Sequence, residues 1–168
     1  MLRRQSPPRL WLMTDERQGE GLWPALERLP RGGGVVFRHY RTESDARRAR
    51  FGGVLTVAKR RGLVLLVAGT PLAGGHGGHG RPGHGLRSAS AHNLRELMAA
   101  ERAGADLVFL SPVFETRSHP GRKGLGPERF ALLARRTRLP VIALGGMNSK
   151  RFGQLRGAYG WAGIDAWS

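Results

Sequence analysis

The sequence has no cysteine, and only three of its 28 basic residues are lysines (Lys59, Lys123 and Lys150). The lack of cysteine excludes disulfide bonds, thiolate metal sites and cysteine nucleophiles. No apolar run reaches the length of about 18 residues that a membrane-spanning helix needs. The first nine residues are basic and contain two prolines, without the apolar centre of a signal peptide. These absences predict a cytoplasmic protein that does not bind a membrane.

Positive charge is the most pronounced bulk property, with a formal net charge of +16. Such charge on a small protein suits either nucleic acid or anionic metabolites. The arginines are scattered and mostly flank predicted helices, which favours solvated helix faces. Aromatic residues are scarce, and no aromatic RNA-binding signature or zinc finger accompanies the charge. We therefore expect small phosphorylated molecules as partners, and no nucleic acid.

Apolar strand-like runs alternate with helix-like runs, which predicts an α/β fold. The predicted strands are 10–15, 35–40, 63–68, 86–90, 107–113, 141–144 and 163–167, with 77–80 as an eighth if it pairs. The predicted helices are 23–29, 42–61, 93–103, 127–136 and 148–156. Gly52 and Gly53 interrupt the second helix and weaken its prediction.

The tract from Gly69 to Gly85 breaks the alternation. It is rich in glycine and contains His76, His79 and His84. Glycine costs roughly 1 kcal/mol per residue inside a helix, so a stable helix is not expected here. The pattern favours a flexible loop in place of a lost helix. A metal site is the alternative, although the tract has no acidic residue to complete it.

Two polar segments follow predicted strands, where β/α barrels place their active sites. The segment from Ser111 to Gly121 offers hydroxyls, a guanidinium and main-chain N–H groups, which suit an anionic ligand. Gly145 and Gly146 end the next strand and precede a predicted helix. Glycines there allow main-chain amides to approach a phosphate. A simple structural turn is the alternative for this pair.

Five segments resemble the thiamine-phosphate synthase/TenI family. Residues 10–15 are similar to its opening Leu-Tyr-Leu-Ile-Thr-Asp strand, and residues 36–38 to its Gln-Leu-Arg. Residues 88–92 resemble Gly-x-Ser-x-His, and residues 104–116 resemble Gly-Ala-Asp-Tyr-Val-x-x-Gly-Pro-Val-Phe-x-Thr. Residues 139–147 are close to Leu-Pro-Val-Ile-Ala-Ile-Gly-Gly-Ile. The resemblance is specific from 104 to 147 and loose elsewhere.

The resemblance implies a (β/α)8-type TIM barrel, which we predict as a single domain over residues 1–168. Since a full barrel usually takes about 250 residues, we expect a trimmed one, with helix 3 degraded to the Gly/His-rich loop and the last helix missing. An outer barrel face left uncovered is apolar, so homo-oligomerisation is an expectation as well.

The resemblance also implies a reaction. Hydroxymethylpyrimidine diphosphate loses diphosphate, and thiazole phosphate attacks the methylene carbon to give thiamine phosphate. Carried over by position, the catalytic residues that hold the diphosphate are Arg38, Ser90, Thr116, Arg117 and Ser118. The residues that hold the thiazole phosphate are Gly126, Gly145, Gly146 and Ser168.

Departures from the family pattern concern the metal. The family uses Mg²⁺, but the third strand ends Val67-Ala68-Gly69 where the family has Asn-Asp, and the aspartate expected after the fourth strand has no counterpart. We therefore assign no metal ligand. His119 also replaces a lysine. Atypical chemistry is thus expected at the site.

Two alternative functions follow from these departures. A thiazole tautomerase-like enzyme would place its catalytic histidine at Pro112, so another histidine would have to serve as general acid/base. The candidates are His39, His92 and His119. The second alternative is a non-catalytic barrel that binds a phosphorylated ligand.

Overall fold

The computed structural model describes residues 6–116, 121 and 123–167. Eight parallel strands close into a barrel in chain order, with β1 also pairing with β8. The strands are β1 (Leu10–Met13), β2 (Gly34–Phe37), β3 (Val64–Ala68), β4 (Gly77–His79), β5 (Leu86–Ala91), β6 (Leu107–Leu110), β7 (Val141–Leu144) and β8 (Gly160–Gly163). This architecture confirms the predicted TIM-type barrel.

Among the described residues, five α-helices lie between the strands. They are α1 (Leu22–Arg28), α2 (Ser44–Arg61), α3 (Leu94–Arg102), α4 (Gly126–Ala134) and α5 (Ser149–Phe152). A 3₁₀ helix, Glu16–Gly21, precedes α1, and Asp15 caps it by accepting a hydrogen bond from the Arg17 backbone. Among the described residues, no helix is long and apolar enough to cross a membrane.

The strands are apolar on both faces because both faces are covered. One face of each strand fills the barrel, and a buried cluster there includes Trp11, Leu66, Phe109 and Ile142. The opposite faces pack against the helices in two further clusters. The sequence signal for β3, β6 and β7 is therefore an unbroken apolar run instead of an alternation.

The amino end of the barrel is filled by the indole of Trp11, which is fully buried. Its Nε1 donates a hydrogen bond to the Pro8 carbonyl at 2.7 Å. Gly34 on β2 lies directly against this ring, since a Cβ there would be 2.3 Å from an indole carbon. Only glycine leaves room for Trp11 at this position.

Helix α2 runs without a break through Gly52 and Gly53, where the sequence predicted an interruption. A Cβ at Gly53 would lie 2.7 Å from the ring of Trp23 on α1. The glycine thus allows α1 and α2 to pack closely, and this packing outweighs its low helix propensity.

The tract between β3 and β5 lacks a helix, as predicted, but it is not simply a loop. It contributes the three-residue strand β4, so the count is eight strands and not seven. His76 N donates to Leu65 O at 2.7 Å, and Leu65 N donates to Nδ1 of His76 at 3.0 Å. An imidazole therefore completes the edge of β3 where the chain enters β4.

Two elements near the C-terminal end differ from the prediction. The last strand is Gly160–Gly163, not 163–167, because Gly160 pairs with Ile142 and Trp161 pairs with Leu10. Helix α5 is also shorter than predicted and ends at Phe152. The apolar residues after β8 serve packing: the Trp167 ring stacks on Trp161 at 4.9 Å between centroids.

Candidate active site

Arg38 follows β2 and is held in place from β1. Its backbone N–H donates to Thr14 Oγ1 at 3.0 Å, and its Nε donates to the Thr14 carbonyl at 2.7 Å. One of its terminal nitrogens lies 3.4 Å from Asp15 Oδ2. Burial lowers the pKa of the Arg38 guanidinium, and the Asp15 charge opposes this shift. Arg38 is thus a positioned, largely desolvated cation at the carboxyl end of the barrel.

Asp15 provides the counter-charge. Burial alone would raise its pKa, but hydrogen bonds from Arg17 and the charges of Arg17 and Arg38 outweigh burial and lower the pKa overall. The carboxylate is therefore ionised at neutral pH. It is shared between two arginines, and only part of the Arg38 charge is neutralised by it.

His79 was noted in the sequence only as part of the histidine-rich tract, and it was not selected as a residue of this site. It closes β4 and is 8% exposed. Its Nδ1 lies 2.8 Å from Ser88 Oγ, and its Nε2 lies 3.1 Å from Ser90 Oγ. Burial, assisted by the charge of Arg38, lowers the pKa of His79 to about 4. His79 is therefore neutral at physiological pH and connects Ser90 on β5 to the barrel interior.

The segment after β6 lies against the end of β7. Val113 N donates to Leu144 O at 2.9 Å, and Phe114 N donates to Gly145 O at 3.1 Å. Gly126, at the start of α4, donates its N–H to Val113 O at 2.9 Å. These bonds bring Gly126 and the Gly145–Gly146 pair to one corner of the carboxyl end, and Thr116 follows Phe114 by two residues.

The glycine pair has main-chain donors available for a ligand. Both glycines have positive φ, +103° at Gly145 and +60° at Gly146. Within residues 6–116, 121 and 123–167, neither backbone N–H donates to a protein acceptor, whereas both carbonyls accept hydrogen bonds. Unpaired main-chain N–H groups at a strand end are suitable donors to a phosphate.

Arg151 is a second residue that the sequence analysis missed. Its guanidinium donates to the Gly146 carbonyl and lies over the Phe114 ring, 4.7 Å from the centroid. Asn148 caps α5 by accepting a hydrogen bond from Arg151 N at 2.9 Å. A cation is thereby fixed beside the glycine pair. The predicted helix after Asn148 was the sequence signal that could have pointed to Arg151. No motif used for the family resemblance includes this arginine.

The two candidate histidines that the structure describes, His39 and His92, lie in different surroundings. His39 stacks on Phe37, with 4.7 Å between ring centroids, and so it faces the outer layer instead of the barrel. His92 is exposed, and its Nδ1 lies 2.8 Å from Glu96 Oε2 at the start of α3. Four predicted site residues lie outside the described residues: Arg117, Ser118, His119 and Ser168.

The described residues at the carboxyl end offer few of the oxygen ligands that Mg²⁺ prefers. No three His, Cys, Asp or Glu side chains are grouped to hold a metal in the part of the chain that the structure describes. The carbonyl of Ala68, at the end of β3, accepts a hydrogen bond from Arg47, and β4 ends in the buried imidazole of His79. The carboxylate after β1, Asp15, is paired with arginines.

Comparison with known proteins places the sequence similarity in the second half of the chain. A family model described as thiamine monophosphate synthase matches residues 86–167. A putative thiamine-phosphate synthase 2 from Aquifex aeolicus is 40% identical over 77 residues, which are 45% of this chain and 41% of the relative. The thiamine-phosphate synthase of Chlorobium luteolum is 43% identical over 81 residues, 46% of this chain and 38% of the relative. The chain thus spans about two fifths of these curated relatives.

The structural similarity covers nearly the whole chain. Thiamine phosphate pyrophosphorylase from Pyrococcus furiosus superposes with a TM-score of 0.77 and 22% identity, over 96% of this chain and 87% of that one. At this identity the likeness shows a shared fold. The resemblance predicted from the sequence motifs is confirmed.

Proposed function

We propose that the protein is a thiamine-phosphate synthase-like transferase, because residues 86–167 match the family model and the curated relatives that they resemble are thiamine-phosphate synthases. In the proposed reaction, the C–O bond between the pyrimidine methylene and diphosphate breaks. The thiazole nitrogen then forms a C–N bond to that methylene, which gives thiamine phosphate and free diphosphate. The observation that carries the proposal is the pair of main-chain N–H groups of Gly145 and Gly146. Neither group donates to a protein acceptor among the described residues.

Departure of the diphosphate is the step that needs the most electrostatic assistance, because negative charge develops on the leaving oxygen. Arg38 supplies a fixed, desolvated guanidinium, and Ser90 supplies a hydroxyl at the end of β5. Fixed dipoles and charges in a poorly hydrated site need no reorganisation as the charge develops. We assign diphosphate binding to these two residues together with Thr116, Arg117 and Ser118.

The thiazole phosphate is assigned to the corner formed by Gly126, Gly145 and Gly146, with Ser168 as the fourth predicted contact. Arg151 strengthens this assignment because its guanidinium is fixed beside Gly146 by the carbonyl and by the Phe114 ring. An Arg so placed adds positive charge next to the main-chain donors, and phosphate oxygens are favoured by both.

The resemblance implies Mg²⁺, but among the described residues no three His, Cys, Asp or Glu side chains are grouped to hold a metal ion. We therefore expect titration of the protein with MgCl₂ alone to give no saturable binding. Any dependence of turnover on Mg²⁺ would then enter with the diphosphate substrate. Turnover that persists in EDTA would show that protein cations suffice for the leaving group.

The decisive experiment is formation of thiamine phosphate from hydroxymethylpyrimidine diphosphate and thiazole phosphate, followed by chromatography. We expect turnover in the wild type and a loss of at least about a hundredfold in Arg38→Ala, the scale of one transition-state contact. Arg48→Ala is the matched control, because Arg48 is an exposed arginine of α2 whose one ion pair among the described residues is with Asp45. Equal activity of the two variants would remove Arg38 from the mechanism.

Isothermal titration with thiazole phosphate separates an enzyme from a binding protein. Binding without turnover would contradict the transferase and identify a non-catalytic ligand-binding barrel. Tight binding to random DNA with a steep salt dependence would instead assign the positive charge to nucleic acid. Cytoplasmic localisation and homo-oligomerisation stay predictions, which fractionation and sedimentation would test.

A further inference from the structure

His79, Ser88 and Ser90 form a hydrogen-bonded row across neighbouring strands β4 and β5. The register aligns His79 with Ser88, and the alternation of β5 points Ser88 and Ser90 to the same side. The imidazole is wedged against Phe109, with ring centroids 5.5 Å apart at 76°. Phe109 in turn packs edge-on against Trp11. The ring of His79 is thus held in place by its contact with the aromatic side chains inside the barrel.

The depths of the two serines differ. Ser88 is 2% exposed, whereas Ser90 is an exposed residue at the open end of β5. Within residues 6–116, 121 and 123–167, the Ser88 hydroxyl has no hydrogen-bond partner other than His79 Nδ1. One serine is therefore enclosed by protein, and the other faces the carboxyl end.

These contacts select one tautomer of His79. If Nδ1 carried the proton, it would donate to Ser88 Oγ, and the buried Ser88 O–H would have no acceptor in the described structure. A buried donor without an acceptor costs about 1–3 kcal/mol. If Nε2 carries the proton, Ser88 donates to Nδ1 and Nε2–H donates to Ser90 Oγ. The second arrangement leaves no buried donor unpaired.

We propose that His79 is a positioning residue that orients the Ser90 hydroxyl as a hydrogen-bond donor to an anionic oxygen at the carboxyl end of the barrel. Because Nε2–H occupies one lone pair of Ser90 Oγ, the hydroxyl hydrogen of Ser90 turns away from His79 and towards the ligand. The row runs from Ser88 O–H through the imidazole to Ser90 O–H. This inference rests on the proposed function for the identity of the ligand, a diphosphate.

The nearby charges support this arrangement. Arg38 lies close enough to His79 for its positive charge to disfavour a second cation, and burial acts in the same direction. A neutral imidazole keeps its acceptor for Ser88 and its donor for Ser90 at the same time. A protonated imidazole would donate at both nitrogens, and the Ser88 hydroxyl would then lose its acceptor.

Binding of inorganic diphosphate, measured by isothermal titration, tests the role of His79. We expect His79→Leu and Ser90→Ala each to weaken binding about tenfold, the loss of one hydrogen bond to a charged group. In the double variant, the effect should equal that of Ser90→Ala alone, because His79 acts through Ser90. His79→Gln, which retains an N–H near the position of Nε2, should recover most of the affinity.

His76→Leu is the matched control, because it removes a histidine of the same tract whose ring faces the backbone of β3. We expect its diphosphate affinity to equal that of the wild type. Additive losses in the double variant, or unchanged affinity in His79→Leu, would overturn the proposal. Absence of diphosphate binding to the wild type would overturn it as well.

The tautomer is testable in the wild type, so the proposal does not depend on the folding of a variant. The ¹⁵N chemical shifts of the His79 ring should show a neutral imidazole with the proton on Nε2. A proton on Nδ1 would contradict the inferred row. If diphosphate binding depends on His79 but no thiamine phosphate forms, the proposed reaction fails and the role of His79 stands. If thiamine phosphate forms but the His79 proton is on Nδ1, the proposed reaction stands and the role of His79 fails.

Discussion

The guanidinium of Arg47 on α2 donates a hydrogen bond to the carbonyl of Ala68 at the end of β3, with 2.7 Å between Nη2 and O. The same side chain donates to the carbonyls of His39 and Thr70. Arg47 is 7% exposed and lies over the Phe37 ring. One buried side chain therefore connects the ends of β2 and β3, the region from which Arg38 projects.

Replacing Arg47 should destabilise the fold. Arg47→Met keeps much of the apolar stem but leaves three backbone carbonyls without their donor. We expect the free energy of unfolding to fall by about 2–3 kcal/mol, the scale of losing hydrogen bonds from a buried charged group. Urea unfolding followed by tryptophan fluorescence measures this change. Arg48→Met, an exposed neighbour, should change stability by less than about 0.5 kcal/mol; a similar loss there would refute the structural role of Arg47.

Two glycine substitutions should have opposite effects. Gly145→Ala places a Cβ 2.8 Å from Pro112 Cα at φ +103°, which an L residue rarely adopts. We expect a loss of about 1–3 kcal/mol in unfolding free energy. Gly52→Ala lies inside α2 with no atom near its added Cβ, and should stabilise the protein by about 1 kcal/mol.

Thiazole phosphate affinity distinguishes the two glycines further. Gly145→Ala should weaken binding because it displaces the main-chain donors at the end of β7. Gly52→Ala should leave the affinity unchanged, since α2 lies outside the barrel. Retained affinity in Gly145→Ala, measured by isothermal titration under conditions in which the variant is folded, would argue against phosphate binding at the glycine pair.

Stability should depend on pH through His79. Its folded pKa, about 4, is below the ordinary value of 6.5, so the unfolded chain binds a proton more readily. The stabilising contribution of neutral His79 is therefore complete above pH 6.5 and is lost as the pH falls to 4. Over this pH range, the loss in the free energy of unfolding from His79 is on the order of 3 kcal/mol.

Urea unfolding at a series of pH values between these limits measures the contribution. His39 and the carboxylates also titrate, so the informative quantity is the difference between the wild type and His79→Gln. We expect the wild type to lose more stability than the variant as the pH falls. Parallel curves would show that His79 does not have the lowered pKa.

Trp167 should contribute to stability although it lies outside the strands. It stacks on Trp161, its Nε1 donates to the Trp11 carbonyl at 3.1 Å, and it contacts both outer apolar clusters. Since Trp167 is only partly buried, Trp167→Ala should cost about 2–3 kcal/mol, below the range for a fully buried tryptophan. Trp167→Phe keeps a stacked ring and should lose less. Thermal unfolding of both variants tests the ranking.

The barrel was predictable where the strands are apolar runs. β7 begins and ends as predicted, because Val141 to Leu144 lies between Pro140 and the glycine pair. β4 could not be assigned in the same way, since Gly77 and Gly78 have no side chains from which to read a period. Pairing with β3 and β5 makes it a strand. His79 was consequently missed, because its role depends on that pairing.

The boundaries that failed are those decided by tertiary contacts. Residues 163–167 were predicted as the last strand, but barrel closure assigns Gly160 to Gly163 to that position. In α2, the low helix propensity of Gly53 is evident from the sequence, but its packing against the ring of Trp23 is not. Arg38 and Ser90 were selected through family motifs, whereas Arg151 owes its place to contacts with Gly146 and Phe114 that no local pattern encodes.

The indole of Trp11, which packs against Gly34, affects how small molecules enter and leave the barrel. Because this ring occupies the amino end of the barrel, a solute that enters among the strand ends must leave by the same opening. In the proposed reaction, the two products could therefore not depart in opposite directions. The product bound deeper in the barrel would then leave only after the product nearer the opening, and the proposed reaction would release its products in a fixed order.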